Sequence, residues 1–288
     1  MGSRRADGGR WHFPSSHLNN LEIVVAYDPV VEPSVLKELS GFHQLDVRDP
    51  DSYARGHLPH AARVPVEIWE AAAKAGETSF DNVSYWEQAI SALGVVNQTP
   101  VIIYDDGRMT EAARVWFILQ YYGADAAILN GGWPAIEKRD DFLEATLPLI
   151  APSAFDAQPG AGRVGLVDRQ TLKAELDSDV RIFDARTKGE YGGNDLRRNA
   201  RGGHLPGATL LPHADLLNGS FVRPATELHD LLSTAGFQPG DHIVTHCDGG
   251  GRAALAAAAA ARAGYNDVRA YYLSFSDWAK DESCTIVR

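Results

Sequence analysis

Cysteine is scarce in this chain: its 288 residues include two, Cys247 and Cys284. Two cysteines are too few for a disulfide scaffold or for a zinc site built on cysteine ligands, and such sparse usage suits a reducing compartment. Apolar runs long enough to span a membrane are also missing. Residues 1–16 carry no apolar core of the kind that a signal peptide needs. We therefore expect a cytoplasmic protein that does not act on membranes.

Positive charge is in deficit as well. The chain has 27 Lys and Arg residues against 38 Asp and Glu residues, a net charge of −11. This balance disfavours nucleic acid and anionic membranes as partners, so an anionic substrate would have to be held by local positive groups. The hydrophobic content of 44% is that of an ordinary globular protein, and the length suggests about two domains.

Four landmarks recur in the same order in both halves, which indicates a duplicated domain. They are LDVR (45–48) and FDAR (183–186), GHLPHA (56–61) and GHLPGA (203–208), the strand-like runs 101–105 and 243–247, and the closing tryptophans Trp133 and Trp278.

Composition places the boundaries between the two halves. Residues 141–165 are predicted to be a linker, since they end in a stretch rich in Pro, Ala and Gly. The linker separates a first domain, 20–140, from a second domain, 166–288. The polar residues 1–19 are predicted to be an N-terminal tail.

Short apolar runs alternate with helical patterns, most clearly in the second half. The predicted strands there are 180–185, 208–211, 243–246 and 268–273, and the predicted helices are 168–176, 225–235 and 253–263. This alternation indicates an α/β fold, with a mostly parallel sheet flanked by helices on both faces in each half. Ligands of open parallel sheets bind at the carboxyl ends of the strands.

Cys247 stands at such a strand end. It opens the sequence CDGGGR (247–252), and the alanine-rich run 253–263 follows, which predicts a strand, a tight loop and a helix. Backbone N–H groups at a helix start stabilise a thiolate, the nucleophilic form of cysteine. The alternative interpretation is a buried structural thiol.

The rest of the loop favours the nucleophile. Gly249, Gly250 and Gly251 allow unusual backbone angles, so several N–H groups can converge on the sulfur, and Arg252 adds a fixed positive charge. Asp248 acts in the opposite sense, because a neighbouring carboxylate disfavours a thiolate unless it points away. A nucleophile of this kind would divide a transfer reaction into two steps.

With these motifs, the chain resembles the tandem rhodanese-type sulfurtransferases, the family that includes thiosulfate and 3-mercaptopyruvate sulfurtransferases. The resemblance extends from about residue 21 to Trp278 and implies two tandem rhodanese-like domains. It implies that Cys247 carries sulfur as a persulfide inside a cradle formed by Asp248, Gly249, Gly250, Gly251 and Arg252.

The resemblance also implies roles for two further residues, Asp105 and Arg186. Asp105 stands at the cysteine position of the first domain, which implies that this domain is non-catalytic. Arg186 matches the arginine that faces the anionic group of the sulfur donor in this family. Its alternative role is a structural ion pair with a carboxylate such as that of Glu190.

The implied reaction is ping-pong transfer of sulfur from a small anionic donor, thiosulfate or 3-mercaptopyruvate, to cyanide, a thiol or a thioredoxin-like protein, with no metal or organic cofactor. The loop matches neither donor signature. Thiosulfate-type loops tend to place basic residues after the cysteine, where this chain has Asp248 and Gly249. Mercaptopyruvate-type loops tend to place a serine at the Gly249 position. The donor therefore stays open.

Two other functions remain as alternatives. Phosphatase-like relatives of the fold have a longer loop, Cys-x5-Arg, but the corresponding position here is Ala253, which makes a phosphoester hydrolase the less favoured enzyme. A non-catalytic binding module is the other alternative, and Cys247 argues against it for the second domain. His57 and His204 occupy equivalent places in both halves, which favours a structural role for each. Cys284, in the polar tail, is predicted to be a bystander.

Overall fold

The computed structural model describes residues 28–34, 36, 41–77, 79–137 and 146–288. The predicted N-terminal tail, 1–19, lies outside the described residues, as does part of the predicted linker, 141–145. Within the described part of the chain, no helix is both long enough and apolar enough to cross a bilayer.

The first sheet has five strands in the order β1-β5-β4-β2-β3, and every pair in it is parallel. Its strands are β1 (Val30–Val31), β2 (His43–Asp46), β3 (Ala62–Arg63), β4 (Val101–Tyr104) and β5 (Ala126–Leu129).

The second sheet repeats this topology in the order β6-β12-β11-β7-β8, again with parallel pairs. Its strands are β6 (Gly165–Leu166), β7 (Arg181–Asp184), β8 (Thr209–Leu210), β11 (Ile243–His246) and β12 (Val268–Ala270). A separate antiparallel hairpin consists of β9 (Leu217–Asn218) and β10 (Phe221–Val222). The matching strand orders confirm the duplicated α/β fold.

Helices cover both faces of each sheet. In the first half they are α1 (Pro50–Arg55), α2 (Val66–Lys74), α3 (Val83–Ser91) and α4 (Thr110–Tyr121), and in the second half α5 (Arg169–Glu175), α6 (Lys188–Tyr191), α7 (Ala225–Thr234), α8 (Gly251–Arg262) and α9 (Ser274–Trp278). The predicted helix 168–176 shortens to α5 because Asp168 is its N-cap, with a side chain that accepts from Thr171 N.

The alanine-rich helix α8 lies between the two halves. Its residues 253–261 are buried, and one apolar cluster includes both these alanines and the buried residues of α4. Small side chains allow α8 to approach its own sheet and α4 of the first half at once. The start of α8, which carries the cysteine loop, therefore faces the first half of the chain.

The predicted strands are present, but most of them are shorter than predicted: 180–185 becomes β7 (Arg181–Asp184) and 208–211 becomes β8 (Thr209–Leu210). The prediction 243–246 matches β11, whereas the prediction 268–273 is too long because β12 ends at Ala270. Ser274 follows with a φ of 61°, so the chain turns at the strand end and brings the start of α9 back toward the cysteine loop.

Candidate active site

Cys247 lies directly after β11, at the carboxyl end of the second sheet, where the sequence places it. Its sulfur accepts a hydrogen bond from the Gly250 amide at 3.1 Å. The residue is 1% exposed, and it lines the floor of a cavity of about 600 Å³. The sulfur is thus held by a backbone donor at the base of an open space.

The start of α9 fixes the backbone of the cysteine loop. Ser274 Oγ accepts from Cys247 N at 3.1 Å, and its hydroxyl lies 3.7 Å from the sulfur. The amides of Phe275 and Ser276 donate to the carbonyls of Cys247 and Asp248, at 3.0 and 3.1 Å. No local sequence pattern points to Ser274, because it lies 27 residues after the cysteine and only the turn after β12 brings it there.

Gly250 is the glycine that the loop requires most. Its φ of +104° lies in the region that other residues avoid, and an added Cβ would lie 2.9 Å from the Tyr272 carbonyl oxygen. This backbone angle is what turns the Gly250 amide toward the sulfur and lets α8 begin at Gly251. The prediction that the glycines shape the loop fits this geometry.

Arg252 forms a bidentate ion pair with Glu190. Its Nη1 and Nη2 donate to Glu190 Oε2 and Oε1 at 2.7 and 2.8 Å. Burial alone would raise the pKa of Glu190, but the hydrogen bonds from Arg252 and Thr187 lower it to about 2. The carboxylate is therefore ionised at neutral pH, and it fixes the guanidinium at the wall of the cavity.

The cavity lies between the two halves. Glu70, Arg108, Glu111 and Arg114 line it from the first half, and Arg197, His213, Cys247, Asp248 and Arg252 are among the residues that line it from the second. Burial, then the nearby charge of Arg252, lowers the pKa of His213, so its ring is uncharged at neutral pH. A second cavity, of about 810 Å³, adjoins the first and shares its Glu70, Arg197, Asp248 and Gly249 lining.

Asp248 is held by the loop that follows α6. Asn199 Nδ2 donates to Asp248 Oδ1 at 2.7 Å. The carboxylate that was expected to oppose a thiolate thus has a polar partner within the second half. Arg197, from the same loop, is 55% exposed at its side chain and lies 3.8 Å from Glu190.

The structure does not bring Arg186 to the cavity, contrary to the expectation from the sequence. Arg186 is 1% exposed, and it donates to the carboxylate of Asp184 and to Gly203 O at 2.6 to 3.1 Å. Its guanidinium also lies over the ring of Phe275. The ion-pair alternative therefore describes its position, with Asp184 as the partner instead of Glu190, which pairs with Arg252.

The first half repeats this arrangement around Arg48. Arg48 donates to Asp46 and to Gly56 O at 2.6 to 3.1 Å and lies over the ring of Trp133. An identical buried pair in a half without the cysteine indicates that the Asp-x-Arg motif holds the strand end to the following glycine segment. His57 and His204 are likewise equivalent: Nδ1 of each histidine lies 3.0 Å from a backbone carbonyl oxygen, which fits the predicted structural role.

Asp105 occupies the position of the cysteine in the first half. Its carboxylate accepts from the amides of Gly107, Met109, Glu111 and Ala112 at 2.8 to 3.2 Å. Burial raises its pKa, against the lowering effect of these amides. In the first half, the backbone amides that follow Asp105 are thus occupied by the Asp105 carboxylate itself.

Among the described residues, no group of three or more His, Cys, Asp or Glu side chains is placed to hold a metal ion. Cys284 is buried in a cluster with Trp278 and Tyr271 on the other side of the second sheet, and burial raises the pKa of its thiol.

The fold and the site define a class: a duplicated α/β protein with a cysteine at the cleft between its halves, whose sulfur accepts a hydrogen bond from a backbone amide of the following loop. Rhodanese-like domain models match residues 32–139 and 168–281, which together are more than half of the chain. The chain therefore belongs to the tandem rhodanese family of sulfurtransferases.

Named relatives agree with this assignment. The chain is 26% identical over 267 residues to the 3-mercaptopyruvate sulfurtransferase of Escherichia coli K12, and the aligned region covers 92% of each chain. It is 27% identical over 259 residues to a thiosulfate sulfurtransferase of Pseudomonas aeruginosa, covering 86% of this chain and 93% of that one. The solved structure of the Leishmania major 3-mercaptopyruvate sulfurtransferase superimposes with a TM-score of 0.69 at 23% identity, over 86% of this chain and 73% of that one.

Proposed function

We propose that the chain transfers a sulfane sulfur from a small anionic donor to a thiophilic acceptor through a persulfide on Cys247. The observation that carries this proposal is the position of the sulfur, 3.1 Å from the Gly250 amide and on the floor of the cavity. A backbone donor directed at Sγ stabilises negative charge on that atom, so it favours the Cys247 thiolate both as the attacking group and as the group that leaves.

In the first half-reaction, the Cys247 thiolate attacks the transferable sulfur of the donor. With thiosulfate, the new S–S bond forms as the bond inside thiosulfate breaks, and sulfite leaves with the electron pair. With 3-mercaptopyruvate, the C–S bond breaks and the enolate of pyruvate leaves and takes up a proton. Gly249 has no hydroxyl to give that proton. The Ser274 hydroxyl has a single proton, and its possible acceptors are the Tyr271 carbonyl at 2.8 Å, the Tyr272 carbonyl at 3.2 Å and the Cys247 sulfur at 3.7 Å.

In the second half-reaction, the acceptor attacks the outer sulfur and Cys247 leaves as a thiolate, which restores the enzyme. A small thiol or cyanide would reach the sulfur through the cavity of about 600 Å³. A thioredoxin-like protein would have to approach along the cleft formed by this cavity and its larger neighbour.

The residues that we assign to the site are Cys247, the loop residues Asp248, Gly249, Gly250, Gly251 and Arg252, and the cavity residue Arg197. Arg252 and Arg197 are the positive groups that face the cavity from the second half, so we assign the negative charge of the donor to them. Arg186 is left out because it is buried and its Nε and Nη2 donate to Asp184 and to Gly203 O.

We also propose that the two halves have different roles in the reaction. The domain 166–288 supplies the nucleophile, and the domain 20–140 is non-catalytic and forms the opposite wall of the cavity. The carboxylate of Asp105, which fills its own amide loop, supports this division.

The test is intact-protein and peptide mass spectrometry after separate incubations with thiosulfate and with 3-mercaptopyruvate, followed by steady-state rates with each donor. We expect a gain of one sulfur on the peptide that contains Cys247 and its loss on addition of cyanide. A Cys284→Ser chain should load to the same extent. If neither donor adds sulfur to Cys247, the persulfide mechanism is wrong.

A further inference from the structure

Arg114 of the first half reaches into the cysteine loop of the second. It lies on α4, is 5% exposed, and its Nη1 donates to the carbonyl oxygen of Gly249 at 2.9 Å. The same nitrogen donates to the Tyr272 hydroxyl at 3.0 Å, and Nε donates to Glu111 at 2.8 Å.

The Gly249 carbonyl and the Gly250 amide belong to one peptide unit. The described chain contains no cis peptide bond, and in a trans unit the C=O and N–H groups point in opposite directions. Arg114 lies at the carbonyl end of this unit, and the Cys247 sulfur lies at its amide end, 3.1 Å from the nitrogen. The guanidinium, the peptide and the sulfur therefore form a continuous hydrogen-bonded chain.

We propose that Arg114 is a positioning residue for sulfur transfer: by holding the Gly249 carbonyl, it directs the Gly250 amide at the sulfur and polarises it. A charged donor on a carbonyl strengthens the hydrogen bond that the same peptide makes through its N–H group. This inference rests on the proposed role of Cys247, and it gives the first half a direct part in the reactivity of the nucleophile.

Close packing keeps the arginine in this position. A Cβ added at Gly250 would lie 3.2 Å from Arg114 Nη1, and one added at Gly251 would lie 3.1 Å from Nη2, so the guanidinium fits against a glycine backbone. Glu111 and Glu70, the latter at 3.5 Å from Nη2, largely balance the charge of Arg114. Its effect on the sulfur is therefore expected through the peptide unit more than through space.

The experiment compares Arg114→Met, which removes every donor and keeps most of the side-chain volume, with the conservative Arg114→Lys. The matched control is Arg262→Ala, at the opposite end of α8, because Arg262 also joins the two halves through Val30 O and Glu32. All variants carry Cys284→Ser, so that iodoacetamide reports on Cys247 alone.

The readout is the rate of Cys247 alkylation as a function of pH. For Arg114→Met we expect an alkylation rate about tenfold lower at pH 7, which corresponds to the loss of roughly one charge-assisted hydrogen bond. The midpoint of the pH profile should also move to higher pH. Arg114→Lys should recover part of the rate. Arg262→Ala should lose thermal stability and keep the wild-type profile. The charged and titratable groups around the sulfur and its loop are Arg252, Asp248, Glu190, Arg197, His213, Arg108, Glu70, Lys74, Glu111 and Tyr272, and all of them are unchanged in the single variants.

A wild-type alkylation profile in Arg114→Met would overturn the inference. A double variant, Arg114→Met with Glu111→Gln, tests the route: if it restores the wild-type profile, the effect came from an unpaired carboxylate and not from the peptide, and the inference is again wrong. If Arg114→Met alone does not fold, the alkylation profile of the double variant is compared with that of the wild type instead. Because alkylation needs no persulfide, a failure of sulfur loading in the wild type would count against the proposed function alone.

Discussion

Arg252 and Glu190 are bound to each other by two parallel hydrogen bonds of 2.7 and 2.8 Å. The pair joins the first turn of α8 to α6, and Glu190 is 2% exposed. Glu190 also closes a capping box with Thr187 at the start of α6. Arg252, the last residue of the cysteine loop, is thus fixed by a carboxylate from the helix that follows Asp184 and Arg186.

Glu190→Gln should destabilise the protein by about 2 kcal/mol at neutral pH, because it removes two charge-assisted hydrogen bonds from the partly exposed guanidinium of Arg252. The stability that Glu190 contributes should depend on pH. Its pKa is lowered from 4.5 to about 2 on folding, so the contribution is present above about pH 4.5 and is lost as the pH falls toward 2. Urea unfolding of both chains at pH 7 and near pH 3 measures this, and a pH-independent difference would contradict the assigned ion pair.

Cys247→Ser should lower the rate of sulfur transfer by at least about a thousandfold, since a hydroxyl cannot form the persulfide. The fold should persist, because the serine is close to the cysteine in size and the loop keeps its anchors in α9. Cys284→Ser is the matched control, as Cys284 lies in a different cluster. Steady-state rates and thermal unfolding of both variants check this, and residual turnover in Cys247→Ser would place the nucleophile elsewhere.

Gly250→Ala should reduce transfer by about tenfold or more. The new Cβ would collide with the Tyr272 carbonyl at 2.9 Å and would strain a φ of +104°, at a cost of about 1–3 kcal/mol, so the Gly250 amide would turn away from the sulfur.

The control for this prediction is Gly264→Ala, where φ is +92° and an added Cβ meets nothing within 4 Å in the described part of the chain. It should lose stability from backbone strain but keep the transfer rate. Equal losses of rate in both variants would show that the effect is not local to the cysteine loop.

Arg186→Ala and Arg48→Ala should behave alike. Each breaks a buried ion pair within an Asp-x-Arg motif, so each should cost about 3 kcal/mol of folding stability, with the KM for the donor changed by less than about twofold. Chemical denaturation and donor titrations measure the two effects. A large rise in KM for Arg186→Ala alone would restore the donor-binding role that the sequence implied.

The sequence predicts the elements of this fold well where the signal is local. The strand 243–246 and the helix 225–235 need only an apolar run or a helical period, and the structure places β11 and α7 there. The alanine helix begins two residues earlier than predicted, because Gly250 in its unusual conformation, not Ala253, marks the start of α8.

The site is less predictable because its contacts join distant parts of the chain. Glu190 lies 62 residues from Arg252, and Arg114 lies 135 residues from Gly249, so no local pattern assigns these partners. The motif around Arg186 shows the reverse problem. The resemblance to the family implied that Arg186 faces the donor, yet Asp184, two residues earlier, already binds that arginine.

The side chain of Asp105 has a consequence for how the duplicated halves could change over time. One carboxylate accepts four main-chain N–H bonds in the first half, and a thiol is a weak acceptor that would leave most of them without a partner. Replacing this one residue by cysteine would therefore unsettle the loop before it produced a second reactive centre. A reactive cysteine at position 105 would therefore also require other groups to bind the amides that the Asp105 carboxylate now holds.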